Sequence, residues 1–429
     1  MSKTVEHHRV APRPDALDTT VVTSWKAPIA FAIFTLLALA LAVFAPRPGE
    51  TTYRWSRETD ALQVPDLVVP VMPALWAVVG LLAVATLYSV VLVRSKRRVP
   101  LWLIVVFAIA FMFAFLTWAG SGSSLPMIGL LFGSLSLAVP LIFGSLAGVI
   151  GERAGVINIA IEAQLLAGAF TAAVVASVTG QVWLGLIAAM VAGMLVGMVL
   201  AAFAIKYFVD QVIVGVVLNV LVVGLTSFFF SQVLAPNAAL LNTPPRFERL
   251  PIPVLGDIPI VGPVFFRQTI VVYLMYIAVA VVYIGLFHTR WGLRLRAVGE
   301  HPQAADTVGI KVNPTRFWNV ALAGSIAGLG GTFYTIGSGI AFNKEMTAGA
   351  GFIALAAVIF GQWDPIKATL AALLFGFASN LQNTLSVIGS PVPSEFMLML
   401  PYVVTIFAVA GLVGKSRAPA ADGKPYIKS

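Results

Sequence analysis

The 429-residue chain contains no cysteine. Disulfides and thiolate-held metals are therefore excluded, while the absence carries no information about compartment. Charge is nearly as scarce: charged side chains make up 10% of the residues and hydrophobic ones 59%, whereas a soluble domain carries roughly 25% charge. An ordinary soluble domain is excluded. The four histidines show no metal-ligand spacing. The apolar stretches are too poor in acids for a paired-carboxylate or Ser/His/Asp set. No catalytic residue, metal ligand or cofactor is assigned. The net charge of +9 does not indicate nucleic acid, because the basic residues cluster between apolar runs, where positive-inside orientation needs them.

What the chain has is a recurrence of apolar runs of about 20 residues, each long enough to cross a hydrocarbon core of about 30 Å. The ten-residue alternation of a membrane barrel is missing. The expected fold is an all-α polytopic membrane protein, embedded in a lipid bilayer, with about twelve transmembrane helices. Arg94-Ser-Lys-Arg-Arg98 is purely basic and belongs inside, whereas 46–66 mixes both signs and belongs outside. Both termini are then cytoplasmic. The expected organisation is a disordered cytoplasmic tail (1–26), peripheral transmembrane helices (27–125), a core (126–413) and a cytoplasmic tail (414–429). Gly411-Leu-Val-Gly-Lys-Ser416 imitates the end of a phosphate-binding loop, but Val409 stands where its first glycine belongs and a span precedes it. No ATP site is encoded.

Polar residues inside spans carry the functional expectation. Gly151-Glu-Arg-Ala-Gly-Val-Ile-Asn-Ile-Ala-Ile-Glu-Ala-Gln-Leu-Leu-Ala-Gly168 holds Glu162 in apolar surroundings. An unpaired carboxylate near a bilayer centre costs roughly 3 kcal/mol, so Glu162 requires a partner or an aqueous cavity. With a fifth span over 156–178, Asn158 and Glu162 share a face at i, i+4, with Asn219 and Asn380 as companions. Amides and a carboxylate can hydrogen-bond a polar neutral solute; the bland alternative for Glu162 is an ion pair with Arg153. Tyr334 and Phe352 can stack on a flat ring or simply pack. Gln211, Gly215 and Asn219 form a stripe that touches either solute or a neighbouring helix. A second glycine-interrupted segment, 346–365, has an apolar part too short to cross alone and is expected to be broken or re-entrant. Two such segments in the two halves of the core point to a binding site at a repeat interface.

Elsewhere the readings concern packing and docking. Gly193-Met-Leu-Val-Gly197 permits close helix approach. The proline-rich connection 236–268 is expected outside and neither helical nor a central strand. In the basic segment 288–316, Pro302 suits a first helical turn and Gly309 a stop. The short helix between them gathers Ala304, Ala305 and Val308 into an apolar patch suited to a partner's groove.

Gly151-Glu-Arg-Ala-Gly-Val-Ile-Asn-Ile-Ala-Ile-Glu162, Arg296-Ala-Val-Gly-Glu-His-Pro-Gln-Ala-Ala-Asp-Thr-Val-Gly-Ile310 and Thr347-Ala-Gly-Ala-Gly-Phe-Ile-Ala-Leu-Ala-Ala-Val-Ile-Phe-Gly361 resemble the inner-membrane permease subunits of bacterial ABC importers, on the branch that takes up nucleosides or simple sugars. Ribose and branched-chain amino-acid permeases are more distantly similar. The resemblance covers 127–413; Ala163 departs from it, standing where the family commonly has glycine, and it leaves the first three spans unexplained. It implies a bacterial inner-membrane location and three partners: an ABC ATPase subunit, a second, non-identical permease subunit and an external solute-binding lipoprotein. It also implies that the ATPase engages Glu300, Pro302, Ala304, Ala305, Asp306, Val308 and Gly309. Nucleosides are the expected solute, with ribose-like sugars as the alternative. An ion-coupled secondary transporter would carry further titratable groups within the membrane. On this reading Ala305→Arg should abolish transport in an inserted protein, and Glu162→Gln should alter transport more than Gly193→Ala.

Overall fold

The computed structural model describes residues 24–57, 60, 62–390, 392, 393, 395, 396, 399 and 417–428. Most of the expected N-terminal tail and the last part of the expected core, 400–413, lie outside the described residues. Eight helices within them are long and apolar enough to cross a membrane. These are α1 (Lys26–Phe44), α2 (Val71–Arg94), α3 (Leu101–Ala119), α4 (Met127–Arg153), α5 (Ile161–Thr179), α6 (Val182–Ala201), α7 (Gln211–Phe229) and, beyond the single turn α8 (Ala238–Leu241), α9 (Ile270–His288). They are followed by α10 (Arg290–Glu300), α11 (Pro302–Thr307), α12 (Val312–Gly331), α13 (Ala350–Phe360) and α14 (Pro365–Val387). α12 and α14 have spanning length, but glycine and polar residues dilute their hydropathy. With 11 residues, α13 is about 16 Å long and does not cross alone.

The chain divides into two units. The first contains α1–α3. Phe31 stacks on Phe107 at 3.9 Å between ring centroids, and Thr35 hydrogen-bonds Thr86 at 2.9 Å. At one end Trp118 Nε1 donates to Ala45 O at 2.7 Å, closing the first helix onto the third. The second unit holds α4–α14 together with 51–68, a boundary that differs from the expected break at 125. Backbone after α1 belongs to this unit through parallel pairing of Thr52–Arg54 with Ser124–Pro126.

Glycine sets the packing of the second unit. α12 lies against α6 and α5 with backbone facing backbone: a Cβ on Gly193 would fall on the carbonyl oxygen of Gly324, and one on Gly324 on that of Gly193. Gly328 meets Ala189 and Gly168 in the same way. Contact this close is available only where at least one of the two helices carries no side chain at the crossing. α4 is buried along most of its length and packs against α12, α13 and α14.

Two sequence expectations change. The proline-rich connection does contain regular structure: α8 fits between Pro236 and Pro244, and Arg249–Pro251 pairs antiparallel with Arg267–Thr269. One turn needs only four residues, and a two-stranded ribbon has only edges, where proline is tolerated. The fifth span starts at Ile161 rather than 156, because 154–160 is a non-helical turn.

Candidate functional site

That turn is mostly buried, so its backbone groups need protein partners. α7 supplies them. Gln211 Oε1 accepts from Ile157 N at 2.7 Å, Asn219 Nδ2 donates to Ile159 O at 3.0 Å, and Asn219 Oδ1 accepts from Ala163 N at 2.9 Å. Gly215 sits between them, where a Cβ would press on Ile159. The stripe thus serves a neighbouring segment, and Asn219 closes the N-terminus of α5. Asn158 precedes α5 and shares no helical face with Glu162, which corrects the i, i+4 expectation. Its amide is matched to that of Gln164, Nδ2 to Oε1 at 3.0 Å and Nε2 to Oδ1 at 3.1 Å, both side chains fully buried.

Glu162 lies in the first turn of α5 and holds the start of α13. Thr347 Oγ1 and Gly349 N donate to Oε1 at 2.6 and 2.9 Å, and Gly351 N donates to Oε2 at 2.6 Å. A carboxylate at a helix N-terminus satisfies orphan N–H groups and complements the helix dipole. The approach requires glycine at 351, where a Cβ would fall on the backbone of Glu162, and Gly349 takes φ +82°. The other end of α13 is held by the same sequence run. Trp363 Nε1 donates to Glu152, and Arg153 Nε donates to Trp363 O at 3.0 Å. Both Glu162 oxygens are therefore occupied by α13 and its approach, and Arg153 is bonded to Trp363. Glu162 thus braces the two glycine-interrupted segments against each other.

The other expected pathway residues are dispersed. Asn380 Nδ2 donates to Leu130 O at 2.7 Å, tying α14 to α4. Tyr334 packs among buried apolar groups of the core. Phe352 is 50% exposed on α13 and alone among these residues presents a free aromatic face. None of the six lines the cavity of about 700 Å³ bounded by Phe132, Arg246, Phe247, Gln268, Phe333 and Ser338. Sequence reasoning missed Gln164, Thr347 and Trp363, although each lies in or beside a run already singled out; their partners are distant in sequence.

At the end of the core that carries 288–316, α11 is the expected short helix, and α10 before it is a helix that the sequence reading did not include. Pro302 opens α11, and Gly309, at φ +86°, ends it. The apolar patch is divided. Ala305 is 3% exposed and packs with Val298, Val312 and Tyr426, so it cannot face a partner, whereas Ala304 is exposed and Val308 is 75% exposed. Ala305→Arg therefore tests internal packing, not docking. The C-terminal residues 417–428 lie along this segment: Ala421 N donates to Gly299 O at 2.9 Å, and Ala420 N to Glu300 Oε2 at 3.1 Å. Lys428 pairs with Asp306 at 3.5 Å.

Burial pushes the Asp422 carboxyl up to about 7, against the pull of the Gly423 backbone hydrogen bond and of Arg316 on α12. Glu152 on α4 is the nearby acid. Because the docked pKa lies above the ordinary carboxylate value, the neutral form favours docking. That contribution is complete below about pH 4 and is lost as pH rises through 7. Cleavage of the Gly423–Lys424 bond by a protease that cuts before lysine should therefore rise between pH 6 and 8 once corrected for protease activity, and Asp422→Asn should flatten the rise. A pH-independent wild type would refute this assignment.

A polytopic helical core with two glycine-interrupted segments braced to each other, and a short helix pair at one end, defines the class of a membrane transport subunit. The family model described as "Branched-chain amino acid transport system / permease component" matches residues 130–409, and the chain belongs to that family. It is 43% identical over 310 residues to the guanosine ABC transporter permease protein NupQ of Bacillus subtilis, covering 69% of this chain and 95% of the relative. It is 39% identical over 308 residues to the nucleoside ABC transporter permease protein NupC of Lactococcus lactis, with the same coverage of 69% and 95%. A putative glucose ABC transporter permease protein of Haloferax volcanii, TsgC13, is 37% identical over 258 residues, 59% of this chain and 77% of the relative. No solved structure matches the chain.

Proposed function

We propose that the chain is the permease subunit of an ATP-driven importer of nucleosides, working by alternating access. The similarity to NupQ and NupC over 69% of the chain carries this reading. The order of spans supports about twelve crossings with both termini in the cytoplasm of a bacterial inner-membrane protein. An ATPase subunit engages the exposed side of α11 at Ala304 and Val308. A second, non-identical permease completes the pathway opposite Phe352, and an external solute-binding lipoprotein delivers the solute. On the opposite side of the core from α11, the cavity is lined by Phe132, Phe247 and Ser338, with Arg246, Glu248 and Arg249 beside them. These groups suit a flat polar ring and its ribose hydroxyls.

The test is uptake of radiolabelled uridine by cells producing this chain with its operon partners, against ribose as competitor and with the ATPase disabled. Uridine uptake that disappears with the ATPase and survives excess ribose is expected. Uptake that persists without the ATPase and collapses with the ion gradient would replace the reading with a secondary transporter, and preferential ribose uptake would replace the solute. Val308→Arg should cut uptake about tenfold in normally inserted protein, since it places charge where an apolar side chain must be desolvated. Unchanged uptake by Val308→Arg would remove α11 from the docking surface.

A further inference from the structure

α11 has six residues, too few to hold a helix by itself, and its inward side offers only Pro302 and Ala305 for packing. Something else must keep it in register while a partner pushes on it. We propose that residues 417–428 are a strap that positions the α10–α11 segment against the core, with Arg316 as the positioning residue. The proposal rests on the reading of α11 as the site of ATPase engagement.

The strap binds on two sides. Toward α10 and α11 it makes the two backbone bonds to Gly299 and Glu300, the Lys428–Asp306 pair and the burial of Tyr426 beside Val298 and Ala305. Toward the core it is held by Arg316 of α12, which is 1% exposed. Arg316 Nη1 donates to Lys424 O at 2.7 Å, and Nη2 donates to Ala421 O at 3.4 Å. A buried guanidinium is costly to desolvate and needs compensating hydrogen bonds. Here these bonds go to carbonyl groups of the strap, so Arg316 and the strap depend on each other. Space for the guanidinium exists because residue 155 is glycine, at φ +87°, where a Cβ would strike it, and Gly423 lies against Ile157 in the same way. The strap thus touches the 154–160 turn whose two flanks, Arg153 and Glu162, hold α13. A displacement of α11 has a continuous packed route through the strap to α13.

The experiment uses the complete transporter in proteoliposomes, with solute uptake and ATP hydrolysis measured in the same preparation. A chain ended after residue 416 should lose about tenfold in uptake and much less in hydrolysis, so that ATP consumed per solute rises severalfold. Arg316→Gln should do the same, and Arg316→Lys should recover only part, because a point charge does not reproduce a fork aimed at two carbonyls. Combining Arg316→Gln with the truncation should add no further loss, as expected for groups that act through each other. Unchanged ATP per solute in the truncated chain, or additive losses in the combination, would overturn the strap. Should the truncated chain fail to insert, Tyr426→Ala with Lys428→Ala keeps full length and is judged by the same ratio. Wild-type uptake independent of the ATPase would instead sink the reading on which the strap rests, before any variant is compared.

Discussion

Glu162→Leu removes transport and destabilises the core at once. Leucine fits the volume but leaves the Thr347 hydroxyl and the Gly349 and Gly351 amides without their acceptor at a largely buried site. Each buried donor left unpaired costs about 1–3 kcal/mol, so the expected loss is on the order of several kcal/mol, a large fraction of ordinary domain stability. Glu162→Gln keeps one carbonyl oxygen but turns an NH₂ toward donors and removes the charge facing the start of α13, so an intermediate loss is expected. Thermal melting in detergent, followed by fluorescence-detected gel filtration, orders the three proteins as wild type, Gln, Leu. Uptake should fall in the same order. A leucine variant that melts with the wild type would show that the brace carries no stability.

Gly193→Ala should be at least as damaging as Glu162→Gln, which reverses the ranking that the sequence suggests. In the sequence Gly193 belongs to a common packing pattern, and one methyl looks small. In the structure that methyl falls on the carbonyl oxygen of Gly324, closer than 3 Å, and Gly328 stands beside it. Backbone cannot turn aside as a side chain can, so α12 must shift as a body. Inserting a methylene into a packed interior costs about 1–3 kcal/mol where neighbours can relax, and here they cannot. Gly224→Ala in α7 is the matched control, because nothing lies within 4 Å of its added Cβ. It should be neutral or slightly stabilising, since alanine favours helix over glycine. Equal yields and uptake for Gly193→Ala and Gly224→Ala would refute the backbone contact.

Membrane character, the helical class, the short helix between Pro302 and Gly309 and the weakness of 346–365 as a span are legible in the sequence. Each depends on local properties: run length, proline and glycine placement, and the sparse charge. The sequence also locates the two runs that matter, 151–168 and 346–365, because polar residues and glycine are costly in apolar stretches and so stand out. What it leaves open is the partner of each polar atom. Glu162 and Asn158 look alike at i, i+4, yet one holds Thr347, 185 residues away, at the approach to α13, and the other pairs with Gln164 six residues on. Ala305 and Val308 look equally apolar, yet one faces Tyr426 and the other solvent. Those outcomes belong to the tertiary structure, because periodicity defines faces of isolated helices, while only the packing of distant segments decides which face is covered and which hydrogen-bonding group is already used.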